Sequence, residues 1–222
     1  MPRRRAPLTR DRILDAALAL ADAHGVDAIT MRRLGDELRY EAMSLYRHVE
    51  NKDDVLDGIL DLVLAETENP SLDEPWDAAI RRSALSVHEA LERHPWATQL
   101  LMTPPRIRQR RIEYMNALLG CLRNAGFSAE TTYTAYHVLD AHIYGFSLWL
   151  ATYERAQLSP EQVAKLIRSI PFEDYPHLME HRDQHLSDGP HREVDAFALG
   201  LDLILAGLAK LRGGSRSAAR KR

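Results

Sequence analysis

Apolar residues recur along this chain at intervals of three and four, the period of one face of a helix, and no run of alternating residues between tight turn signals makes a hairpin. The spacing predicts an all-α fold. A first helix is expected from about Arg10 to Ala23, with Ile13, Leu14, Ala17, Leu18 and Ala21 on one face. His24-Gly25 ends it, because glycine accepts the left-handed cap conformation. Thr30 is an N-cap candidate for a short helix, Met31 to Leu38, whose Leu34 and Leu38 lie one turn apart on the inward side. After a three-residue break, Ala42 to Val49 reads as a second short helix with Leu45 and Val49 inward. Asn51, with Asp54 three residues on, caps a fourth helix in which Val55, Leu56, Ile59, Leu60 and Val63 keep the helical period.

Asn69-Pro70-Ser71 and Pro75 interrupt the pattern and divide the chain. Residues 1–65 form a small N-terminal module with a basic arm, residues 70–212 a larger helical domain, and residues 213–222 a basic tail whose Gly213-Gly214-Ser215 start predicts disorder. The larger domain reads as helices at about Trp76–Arg93, Arg106–Asn124, Ala129–Arg155, Pro160–Ile170 and Glu193–Arg212. Breaks fall at Pro95, Pro104-Pro105, Gly126 and the stretch from Pro171 to Pro190. A hydrophobic content of 45% and a charged content of 27% suffice for a core without staples. The lone cysteine, Cys121, excludes an intramolecular disulfide and a cysteine-built zinc cage, which suits a reducing cytoplasm. The basic N-terminus leads into an amphipathic helix and not an apolar export core, so a cytoplasmic protein is expected.

Two short helices with a tight break, packed on one longer helix and buttressed by another, make a helix-turn-helix, whose second member enters a major groove. Spacing alone does not distinguish this from other small helical bundles. The second short helix adds weight, since Met43, Ser44, Arg47 and His48 are left on or near its outer face. Arg47 suits bidentate hydrogen bonding to guanine or contact with phosphate. A net charge of −3 argues against indiscriminate coating of nucleic acid, yet Arg3, Arg4, Arg5, Arg10 and Arg12 gather beside the motif against Asp11 alone. Such an arm follows the DNA backbone, enters the minor groove, or is simply solvated.

These residues resemble the tetracycline-repressor (TetR) family. The likeness is carried by Ile13-Leu14-Asp15-Ala16-Ala17, Gly25-Val26, Thr30-Met31-Arg32-Arg33-Leu34 and Leu38, and above all by Met43-Ser44-Leu45-Tyr46-Arg47-His48-Val49 followed by Asn51-Lys52 and Leu56. It implies a recognition helix over Glu41–His48, with Ala42, Met43 and Ser44 facing bases and Tyr46, His48 and Lys52 holding phosphates. Thr30 and Arg32 match positions that also approach DNA. One departure is clear: where the family usually has glycine in the turn, this chain has Arg39-Tyr40. Either Arg39 accepts backbone strain or the turn is built differently.

From Ala196 to Ala209 the only polar side chain is Asp202, with Phe197, Leu199, Leu201, Leu203, Ile204, Leu205 and Leu208 spread around the helix. Such a helix must be covered on most sides. It is too short for the ~20 apolar residues that span a bilayer, so protein is the expected cover. Part comes from its own chain and part from a second copy, with Gly200, Ala206 and Gly207 permitting close approach beside the Ala129–Arg155 helix. The pattern also looks like the final helix of the tetracycline-repressor C-terminal subgroup, which implies a homodimer joined by a four-helix bundle. A two-fold dimer presents two reading helices at fixed separation, so the expected partner is double-stranded DNA carrying a palindromic operator.

The resemblance further implies a transcriptional repressor released by a small-molecule ligand held among the middle helices. Trp96, Met102, Met115, Tyr133, His137 and Phe146 are the candidate lining, although such residues at helical spacing are more often core. No cofactor is expected. His177, His181 and His185 would share a helical face, but they lie between Pro171-Pro176 and Gly189-Pro190 in what reads as a surface connection, and no metal site is expected. Two rival readings remain: a dimeric regulator without an effector, constitutive or activating, and an all-helical enzyme using His88, His137 or His142 with Glu92 or Asp140. Against the enzyme stands the lack of a nucleophile motif, a glycine-rich phosphate loop or a paired metal signature.

Overall fold

The three longer helices of the N-terminal module each start on a side chain that satisfies a backbone N–H with no partner inside its own helix. Thr9 Oγ1 accepts from Arg12 N (3.3 Å), Thr30 Oγ1 from Arg33 N (3.1 Å) and Asn51 Oδ1 from Asp54 N (2.9 Å). The computed structural model describes residues 7–103, 109–155, 159–180 and 196–219. Among them the elements run α1 (Arg10–His24), a 3₁₀ turn (Val26–Ala28), α2 (Met31–Leu38), α3 (Ala42–Leu45), α4 (Lys52–Ala65), α5 (Trp76–Arg93) and α6 (Pro95–Met102). They continue with α7 (Gln109–Asn124), α8 (Ala129–Arg155), α9 (Pro160–Arg168), a 3₁₀ turn (Phe172–Asp174) and α10 (Ala196–Ala219). No strand occurs among the described residues, so the fold is all-α.

Ile13, Leu14, Ala17, Leu20 and Ala21 form the buried face of α1 and pack on Val55, Ile59, Leu60 and Val63 of α4. Leu34 and Leu45 complete this small core, both fully buried. Each such side chain contributes roughly 1.5–3 kcal/mol when removed from water. The core then continues without a break through Ile80, Val87 and Leu91 of α5 into Leu118, Leu139, Ile143, Phe197 and Leu201. Helix α10 lies along α8 and α5, with Phe197 stacked between the imidazoles of His88 (3.8 Å) and His142 (4.8 Å).

Three expectations need revision. Pro95, read only as a break, follows the end of α5 at Arg93 and also opens α6: at the first helical position its missing N–H has no partner to lose. Gly200, expected to face a second copy, packs inside its own chain, because a Cβ there would sit 2.5 Å from His142 Cε1. The tail expected to be disordered continues α10 as far as Ala219, since extending a formed helix requires no new nucleus. The candidate metal site lies largely outside the described residues; His177 is in a helical turn over 176–180, whereas His181 and His185 are not described.

The starts of α1 and α4 are clamped together. Arg10 donates to both oxygens of Asp54 (2.8 and 2.6 Å), and Asp54 Oδ2 also accepts from Glu50 N (2.9 Å). The hydrogen bond from Arg10 is the main reason the Asp54 carboxyl falls from 3.8 to about 2. A lowered folded value means that this stability is fully present above the unfolded value and is lost as pH falls through about 2. Asp54→Asn is therefore expected to lower stability by about 1 kcal/mol at neutral pH, the pair being partly exposed. In urea unfolding the gap to the parent chain should close below the ordinary carboxylate range. A gap that stays constant into strong acid contradicts the clamp.

Candidate nucleic-acid interface

The outer end of the N-terminal module is built by the contact between α2 and α3. Arg39 ends α2 with φ 60° and ψ 41°, the only non-glycine at positive φ among the described residues. It thus accepts the left-handed strain, and the turn keeps the geometry that glycine would supply at lower cost. Its N–H reaches Asp36 O (3.2 Å), and Tyr40 N–H reaches Gly35 O (2.8 Å). Gly35 is equally constrained from another direction: a Cβ there would lie 2.7 Å from Tyr40 O, a backbone atom with little freedom to move. Sequence reasoning passed over Gly35, since the atom that excludes a side chain belongs to the turn five residues later.

α3 is shorter than its periodicity suggests. The α-helix covers Ala42–Leu45 and the chain then tightens, with His48 N bonded to Leu45 O (2.8 Å), so that Val49 turns back into the core. With Leu45 and Val49 buried, the other side of this segment is open. Met43 is 75% exposed and Tyr46 44% exposed, beside exposed Arg47 and His48. Ala42 and Ser44 are half-buried at the α2 contact. Thr30 and Arg32 are exposed at the start of α2, and Lys52 is half-buried at the start of α4. The expected DNA-facing residues therefore come from the start of α2, from α3 and the turn that follows it, and from the start of α4.

At the opposite end, α1 meets the larger domain through one carboxylate. Asp22 Oδ1 accepts from Trp96 Nε1 and from His94 Nδ1, both at 2.7 Å. The other ring nitrogen of His94 faces Glu66 Oε1 (3.2 Å), and Arg93 donates to Glu66 Oε2 (2.6 Å). Burial opposes the Glu66 charge, but Arg93 and His94 outweigh it and hold the carboxyl below its ordinary value. The end of α4, the end of α5 and the start of α6 thus share one polar joint with α1.

Deeper in the larger domain, Arg111 of α7 forms a two-point pair with Asp140 of α8 (2.7 and 2.8 Å), donates to Tyr144 Oη, and lies 4.3 Å from the Tyr144 ring centre. Burial raises the Tyr144 phenol to about 12, with Arg111 pulling the other way. The space between this pair, the end of α4 and α5 is only about 10 Å³, near the minimum for one water.

The profile of the bacterial regulatory proteins of the tetR family matches residues 13–59, and that of the tetracyclin repressor-like C-terminal domain matches residues 69–212. The chain belongs to the tetR family. It is 32% identical over 215 residues to the HTH-type transcriptional repressor DrrR1 of Streptomyces coeruleorubidus, covering 92% of this chain and 78% of that protein. It is 30% identical over 215 residues to a class A tetracycline repressor of Escherichia coli, covering 90% of each. Among solved structures, ActR of Streptomyces coelicolor without ligand aligns with a TM-score of 0.70 at 30% identity, covering 95% of this chain and 99% of that one. ActR in complex with actinorhodin aligns with a TM-score of 0.68 at 31% identity, covering 92% and 96%.

Within this tetR-family chain the six expected ligand residues do not gather around one cavity. Trp96 is held at the joint by Asp22. Met102 is exposed at the end of α6 and Met115 on the outside of α7. Tyr133 and His137 sit edge to face on the exposed side of α8, ring centres 4.5 Å apart, and Phe146 packs beside His88 and Phe197. Helical spacing identified a face of each helix but not the neighbour that covers it. Of the groups that do meet in the interior, Arg111 lies 29 and 33 residues before its partners Asp140 and Tyr144, and no local signature joins them.

The turn yields a paired expectation. Arg39→Gly should stabilise the chain by up to ~1 kcal/mol by releasing the left-handed strain. Gly35→Ala should cost about 1–3 kcal/mol, as an added methyl in a packed contact does. Urea unfolding of both variants checks this, and a Gly35→Ala chain as stable as the parent would remove the close approach.

Proposed function

We propose that this member of the tetR family is a homodimeric transcriptional repressor that reads a palindromic operator with the Met43 face of α3 and is released by a small-molecule effector. The observation that carries the reading is Met43 itself. A methionine 75% exposed, on a segment whose Leu45 is wholly buried, has apolar surface that a groove edge and a thymine methyl would cover. In this reading Ala42, Met43 and Ser44 meet bases, Arg47 meets a guanine or a phosphate, and Thr30, Arg32, Tyr46, His48 and Lys52 hold the backbone. Phosphate contacts set position and base contacts set sequence preference.

A second copy covers the open face of α8 and α10. Val138 and Trp149 are 42% and 58% exposed on α8, and Leu199 and Leu203 are 51% and 67% exposed on α10. Between them Gly145 and Gly207 have no atom within 4 Å of where a Cβ would stand, which leaves room for close helix approach. Two α8–α10 pairs then make a four-helix bundle.

The effector enters beside Arg111, between α4, α5, α7 and α8, where a charged group among tyrosine rings suits an acidic aromatic compound. The space is closed in this structure, so binding must move α7 or the end of α4, and that motion reaches α1 through Glu66, His94 and Asp22. Ligand and DNA then weaken each other, a coupling of typically ~1–3 kcal/mol. Of the rival enzyme's candidate groups, His88 does face Glu92 Oε1 (3.4 Å) and Ser147 Oγ (3.3 Å), but it is buried and stacked on Phe197; His142 Nε2 meets Phe197 O at 3.0 Å, and Asp140 is taken by Arg111.

Mobility shifts with an operator fragment test the reading. Met43→Ala should weaken binding roughly fivefold to tenfold, about 1–1.4 kcal/mol, and relax preference at one position of each half-site. His48→Ala should weaken all duplexes alike. Leu203→Glu should yield monomers in sedimentation and lose the operator complex. Unchanged operator affinity for Met43→Ala, or a Leu203→Glu chain that still sediments as a dimer, contradicts it.

A further inference from the structure

Beside the Asp22 joint the two domains do not close. A crevice of about 540 Å³ remains between the end of α1, the start of α6 and the last turns of α8. Its size falls among ordinary small-molecule sites, ~300–1,000 Å³. Asp22, His24 and Asp27 wall it from the reading module, and Trp96, Gln99 and Leu148 from the larger domain. Among the described residues that line it, two are carboxylates and none is lysine or arginine. Asp22 is fixed in place by Trp96 Nε1 and His94 Nδ1, which both reach its Oδ1, while a third of its side chain stays exposed.

We propose that this crevice is a second ligand site, for an amphipathic organic cation. The ammonium or phosphonium charge lies against Asp22 and Asp27, and the apolar body lies along Trp96 and Leu148. Anionic carboxylates fixed in a half-enclosed crevice favour a cation. The site is separate from the space beside Arg111, which lies between α4, α5, α7 and α8 and has Arg110 and Arg111 in its lining. A ligand here touches both domains at once. It therefore fixes the angle of the reading module on α6 and changes operator affinity without entering the larger domain's interior.

The test uses two ions of one shape and opposite charge, tetraphenylphosphonium and tetraphenylborate, added to the full chain. The phosphonium should bind saturably, one per chain, by titration calorimetry, and should shift the Trp96 indole N–H resonance; the borate should do neither. Asp27→Asn, which leaves the Asp22 joint intact, should weaken the phosphonium at least fivefold. Leu148→Trp, which fills the crevice from a half-open position, should abolish binding. Asp27→Asn should bind operator like the parent when no probe is present, so a lost probe site is read separately from a lost DNA site. Equal binding of the two ions, or phosphonium binding that survives both substitutions, overturns the proposal.

Discussion

The arrangement of this molecule depends on a carboxylate shared between two domains. Asp22, near the end of α1, takes hydrogen bonds from Trp96 and His94 at the start of α6, and His94 passes the contact on to Glu66 at the end of α4. Removing that oxygen would leave two mostly buried donors without their partner, at ~1–3 kcal/mol each. The N-terminal module is therefore not a bead on a string. Its orientation is set by α6, and anything that moves α6 or the end of α4 moves the reading face.

That coupling explains why so small a module can be controlled. Its outer face is held from within: Leu34 and Leu45 are fully buried, Gly35 admits the turn, and Arg39 takes the strained conformation that the turn requires. Those constraints keep the Met43 face rigid, so displacement of the whole unit is the remaining way to alter its fit to DNA. In a two-fold dimer a modest rotation at each joint changes the separation of two such faces, and two half-sites at fixed spacing are sensitive to that separation.

Local chemistry made much of this readable from the residues alone. Caps at Thr30 and Asn51, the period of α4 and the bounds of α5 and α8 follow from neighbours a few positions away. Pro95 marked the end of α5 correctly but hid α6, because proline at the first helical position starts a helix as well as breaking one. α3 was shortened by a tertiary demand, the return of Val49 to the core. The interior was hardest to read: Tyr133 and His137 repeat at helical spacing but face outward, whereas the Arg111–Asp140 pair joins two helices with no nearby motif. Family resemblance nominated candidate DNA-facing residues through a local motif. It offered no comparable guide to a cavity assembled from distant segments.

The central claim is that two Met43 faces, held at one separation by α8 and α10, read two half-sites together. Selection of bound duplexes from random DNA by the purified full chain measures this directly. The account predicts enrichment of an inverted repeat whose half-sites are centred about one helical turn, ~34 Å, or a multiple of it apart. Recovery of a lone half-site with no paired copy, or of no preferred sequence at all, would contradict it.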